Sequence, residues 1–76
     1  MNKIRRRNLQ SIIAQLEELK DSLEAVQAEE EEYRDNIPEN MQEGERYEKA
    51  DEACDNLSEA VDNLEEVISS IEAAIE

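Results

Sequence analysis

Apolar residues fall at Leu9, Ile12, Leu16, Leu19, Leu23 and Val26, then at Tyr33 and Ile37. The steps alternate three and four, and Glu30 is the one non-apolar member of the series. With Leu9 at heptad position a, residues Ile12, Leu19, Val26 and Tyr33 take position d. Four heptads of this period predict a coiled-coil helix. A second series of threes and fours follows without exception: Tyr47, Ala50, Cys54, Leu57, Val61, Leu64, Ile68, Ile71 and Ile75.

Between the two series lies Asn36-Ile37-Pro38-Glu39-Asn40-Met41-Gln42-Glu43-Gly44. Pro38 disfavours the helical region for Ile37, so helix one should stop near Asn36. Pro38 also suits the first position of a short helical turn. Gly44 permits backbone conformations that other residues resist, and is expected to mark the entry to helix two. Glu45 and Glu48 then put negative charge in the first turn, where the helix dipole favours it.

The halves support each other. Folding the chain about residue 40 pairs Leu9 with Ile71, Leu16 with Leu64, Leu23 with Leu57, Val26 with Cys54 and Tyr33 with Tyr47. Each layer joins an a position to a d position. The expected fold is therefore all-α: one domain over residues 1–76, with two long helices in an antiparallel coiled-coil hairpin. Helix one covers about 3–36, the turn about 37–44 and helix two about 45–76. Tyr33 and Tyr47 are expected to stack as a plug at the tip.

Helix two has more apolar surface than one seam uses, because Ala53, Ala60, Val67 and Ala74 all occupy g positions. Opposite them stand Asn8, Gln15, Ser22 and Glu29, and Ile13 adds an apolar residue on the other flank. This low-charge side suggests self-association into a homodimer, with hairpins pairing into a four-helix bundle.

Charge shapes the rest of the surface. The net charge is −14, and the basic residues Lys3, Arg5, Arg6 and Arg7 cluster at the start. From Asn8 onward, twenty-two acids face only Lys20, Arg34, Arg46 and Lys49, a net −18. Spread over ~45 Å of helix, that is one charge per ~2.5 Å, against one per ~1.7 Å of axis in duplex DNA. Such a body repels nucleic acid and anionic membrane and favours basic partners. The candidate partner-binding face comprises Glu17, Glu18, Asp21, Glu24, Glu31, Glu32, Asp55, Glu59, Asp62 and Glu66. The N-terminal basic cluster opposes its own helix dipole and is expected to meet Glu72, Glu76 and the terminal carboxylate.

Candidate chemistry is sparse. There is no histidine, so neither a histidine acid–base catalyst nor a histidine metal ligand exists. The run Glu29-Glu30-Glu31-Glu32 lacks the spacing and glycine of a calcium loop. No catalytic residue, metal site or cofactor is expected. Cys54, the lone cysteine, reads as a small buried hydrophobe and leans toward a reducing compartment. The opening Met1–Arg7 looks like the n-region of a signal peptide, but no adequate apolar run follows it, so a cytoplasmic protein without a membrane span is expected.

Two stretches carry a resemblance: Asn36-Ile37-Pro38-Glu39-Asn40-Met41-Gln42 and Glu45-Arg46-Tyr47-Glu48-Lys49-Ala50. With the Glu- and Ala-rich helix that follows, about half the chain resembles small acidic helical-hairpin proteins of low-GC Gram-positive bacteria and their phages. Met41 stands where leucine is expected, and Cys54 where an aliphatic residue is commoner. The resemblance implies the turn and a mobile-element setting. That setting raises the expectation of a non-enzymatic acidic inhibitor that mimics nucleic acid and blocks a basic host protein. The alternative is a structural or assembly coiled coil that homodimerises.

Overall fold

The computed structural model describes residues 1–76 and is a helical hairpin measuring 59 × 15 × 12 Å. Helix α1 spans Lys3–Asp35 and helix α2 spans Glu45–Ile75, joined by a 3-10 turn at Glu39–Met41. No helix is long and apolar enough to cross a membrane.

Local chemistry sets the ends. Asn2 caps α1, its side-chain oxygen accepting from the Arg5 N–H at 2.8 Å. That bond satisfies one of the orphan donors at the helix start. At the other end the Asn36 N–H donates to the Glu32 carbonyl at 3.0 Å, and Pro38 begins the turn. Ile37 folds inward and is buried, closing the tip, while Gln42 Nε2 donates to the Ile37 carbonyl at 3.2 Å. Gly44 caps α2 with φ −81° and ψ 166°, which any residue adopts. Its lack of a side chain answers a close approach instead: a Cβ there would lie 3.2 Å from the Met41 carbonyl oxygen. The expectation of a special glycine backbone is thus corrected.

Packing between the helices is unequal. From α2, residues Ala50, Cys54, Val61 and Ile68 are buried, as its a and d series requires. From α1 no residue is fully buried. Its less exposed residues are Arg6, Leu9, Ile13, Leu16, Lys20, Leu23, Gln27, Glu30, Glu31 and Arg34. Apart from Glu31, these are the a and e positions. The expected d residues stand outside the seam: Ile12 is 43% exposed, Leu19 61%, Val26 51% and Tyr33 43%.

Helix α1 is therefore turned by roughly 50° from the a/d geometry, at 100° per residue. Val26 does not bury against Cys54, and Tyr33 does not plug the tip with Tyr47.

Polar pairing on one flank accompanies the rotation. Lys20 Nζ lies 3.7 Å from Glu65, and Arg34 Nη1 donates to Asp51 at 3.0 Å. All four are e positions, so the e columns of the two helices face each other. Arg6, also at e, donates from Nε to the Ile75 carbonyl at 3.3 Å, taking up an orphan acceptor of the last turn. The expected pairing of the basic cluster with Glu72 and Glu76 does not form; the one cross-helix hydrogen bond of that cluster goes to this carbonyl.

Candidate interaction surfaces

Two long faces result. The first lies on the side away from the e columns. Arg46, at position g of α2, sits 5.2 Å from the centre of the Tyr33 ring, and its Nε donates to the Tyr33 hydroxyl at 2.6 Å. This contact places the d column of α1 beside the g column of α2. Moving seven residues along each helix brings Val26 to the level of Ala53, Leu19 to Ala60 and Ile12 to Val67. Ala53 and Ala60 are half-buried, Val67 and Ala74 exposed.

The residues bordering this stripe are mostly uncharged. Asn8, Gln15 and Ser22 stand at g of α1, and Asn56, Asn63 and Ser70 at c of α2. Every acid from Glu45 onward occupies b, e or f. On α1 no acid occupies d or e. The apolar face is thus kept clear of carboxylates, apart from Glu29 at one end.

The opposite side is acidic. Glu24, Glu31, Asp62 and Glu65, with Gln27 and Ser58, line an open groove of about 390 Å³. Gln27 Nε2 donates to Glu31 across one helical turn at 3.2 Å. Of the ten acids proposed as one partner-binding face, the groove brings Glu24, Glu31 and Asp62 together. Glu18 and Glu32 lie at c on the outer edge of α1, and Glu59 and Glu66 at f on the outer edge of α2, so the ten wrap the rod. Glu31 alone among them is half-buried. No three acids or thiols converge closely enough to hold a metal ion.

Cys54 is the one nucleophile set in a distinct environment. Burial raises its thiol pKa, and nearby Glu30, Glu31 and Asp51 push the same way against the lowering effect of Arg34. A neutral thiol held this way is a packing group with little nucleophilic character. The Arg34 guanidinium is raised further above its usual value, chiefly by the hydrogen bond to Asp35, with burial opposing. It remains a permanent cation on the polar flank.

The spacing of the four α1 residues of the apolar face points instead to the internal seam. Their place on the surface could have been read from Lys20 and Arg34, which stand at e opposite the acids Glu65 and Asp51 at e of α2. Set against known protein families, curated proteins and solved structures, the chain matches none.

Proposed function

We infer that this chain is a non-enzymatic protein-interaction module whose working surface is the face built from d of α1 and g of α2. The supporting observation is the exposure of Ile12, Leu19, Val26 and Tyr33, four large residues at seven-residue spacing on one side of the hairpin. Scattered apolar surface residues are ordinary; a stripe bordered mostly by uncharged polar residues marks a contact site. Against catalysis stands the lack of an enclosed site in which a carboxylate or thiol could be tuned. The buried free thiol suits a reducing compartment such as the cytoplasm.

In-cell photo-crosslinking tests this reading. A photoreactive side chain at position 19 should give discrete protein adducts, and one at position 59 on the outer edge of α2 should not. Absence of adducts from position 19 would remove the claim that this face works by contact.

The segregation of charge favours a second reading, an acidic inhibitor that occupies a basic host protein's nucleic-acid groove, in keeping with the mobile-element resemblance. Its partner would be basic, and the chain itself would not bind nucleic acid. Binding would weaken steeply with salt. Charge reversal at Glu24 and Asp62 should then abolish competition with nucleic acid for that partner, while Leu19→Ser should not.

A further inference from the structure

We propose that the occupant of the apolar face is a second copy of this chain, laid antiparallel on the first to form a four-helix bundle. The inference rests on the interaction-module reading above and names its partner.

Surface area points to a partner of about this size. A compact monomer of 8.8 kDa exposes about 4,800 Å² by the usual scaling. The hairpin exposes 5738 Å² and buries five residues. The excess, roughly 900 Å², is close to the ~800 Å² that each partner contributes to an interface of standard size. One face of a rod 59 Å long and 15 Å wide supplies a footprint of that order.

Charge selects the partner and its direction. Two bodies of net −14 can approach only through a surface free of carboxylates, and the d/g face is the side from which acids are withheld. Along the rod the charge is not uniform. Lys3, Arg5, Arg6 and Arg7 outnumber Glu72 and Glu76 at the end carrying the chain termini, and Glu39, Glu43, Glu45 and Glu48 outnumber Arg34, Arg46 and Lys49 at the tip. A parallel pair would set basic end on basic end and acidic tip on acidic tip. An antiparallel pair sets each basic end against the other copy's acidic tip.

Centring a two-fold axis on the α1 stripe sets the register. The α1 stripe runs from Ile12 to Tyr33, so its centre falls between Ser22 and Leu23. About that centre Leu19 meets Val26 of the second copy, Ile12 meets Tyr33, and Arg6 comes level with Glu39. On the α2 side, Ala53 of one copy comes level with Ala60 of the other, small side chains that let helices approach closely. Such an isologous contact is self-complementary and closed.

The experiment uses the full chain. Sedimentation equilibrium over the micromolar range should give twice the chain mass. Leu19→Glu should raise the dimer dissociation constant at least about a hundredfold, since each interface takes in the substitution twice. Helical circular dichroism should be kept, because Leu19 is already outside the intramolecular seam. Should Leu19→Glu lose helicity, Leu19→Ser is the milder variant for the same measurement. For direction, Leu19→Cys and Val26→Cys are each made with Cys54→Ala. Oxidising the mixture should give a mixed disulfide dimer in preference to either like pair. A wild-type monomer throughout the range, or a dimer indifferent to both Leu19 variants, overturns the proposal. Like-pair disulfides dominating the mixture overturn the antiparallel register. A wild-type monomer that still forms adducts from position 19 in cells would sink the self-pairing but leave the interaction-module reading standing.

Discussion

Arg46 lies over the Tyr33 ring, 5.2 Å from its centre, and donates through Nε to the Tyr33 hydroxyl at 2.6 Å. The pair joins the d column of α1 to the g column of α2 across thirteen residues of chain, and so fixes which sides of the two helices share a face. It also restrains the rotation of α1 at the tip, as Lys20–Glu65 and Arg34–Asp51 do on the other flank.

A measurable coupling follows for that pair. Exposed cation–π contacts contribute about 0.5–1 kcal/mol, and the hydroxyl adds a neutral acceptor. Tyr33→Phe should cost under about 0.5 kcal/mol, since the ring stays and water replaces the lost bond. Arg46→Ala should cost about 1 kcal/mol. A double-mutant cycle of Tyr33→Ala with Arg46→Ala, measured by urea unfolding, should show coupling of at least about 0.5 kcal/mol. Strict additivity would mean that the contact does not hold the tip.

The division of α1 into seam and surface predicts opposite sensitivities on the two helices. Ile68 is buried, so Ile68→Val should cost about 0.5–1.5 kcal/mol and Ile68→Ala about 2–4 kcal/mol. Leu19→Ala, measured in protein dilute enough to be monomeric, should change stability by less than about 0.5 kcal/mol, as exposed positions do. An a/d seam would make Leu19→Ala as damaging as Ile68→Ala. Equal losses would contradict the observed rotation.

Most of the architecture was legible because it rests on strong local signals. Pro38 and the break in the three–four series mark the turn, and α2 carries one unambiguous apolar face. The rotation of α1 was not legible from hydrophobicity, because α1 offers two overlapping seams. The a/d series holds more large aliphatics; the a/e series holds Arg6, Lys20, Gln27 and Arg34. Counting apolar residues selects the first; in the second, Lys20 and Arg34 lay their long stems along the seam and reach Glu65 and Asp51. The consequence reaches function, since the rotation turns Ile12, Leu19, Val26 and Tyr33 from core into surface. The acids are a different matter. Their number was plain, but their spread around the rod needed the seam to be known first.

Cys54 gives a pH-dependent signature. Its folded pKa is raised by burial, so the unfolded chain gives up the thiol proton first as pH rises. The stability linked to this group is fully present below the unfolded value of about 8.5 and is lost as pH climbs through the folded value. The wild type should therefore lose melting temperature above about pH 8.5 faster than Cys54→Ala does. Parallel curves through that window would show that burial does not hold the thiol neutral.

Salt should stabilise the hairpin, although ion pairs flank its seam. Twenty-two acids and eight basic residues share a thin rod, and two of the recorded ion pairs, Lys20–Glu65 and Arg34–Asp51, cross between the helices. Each such exposed pair contributes about 0–1 kcal/mol. Against them stands repulsion among carboxylates on the b and f columns of both helices, acting over several neighbours at once. The screening length falls from about 30 Å at 0.01 M salt to about 10 Å at 0.1 M, which removes the longer-range repulsion and leaves the 3.0 Å Arg34–Asp51 contact largely intact. The Leu19→Glu variant isolates this effect from self-association. Its melting temperature should rise by about 5 °C over that range, equivalent to about 1 kcal/mol for a domain of this size. A fall with added sodium chloride would mean that the flanking ion pairs outweigh the net charge.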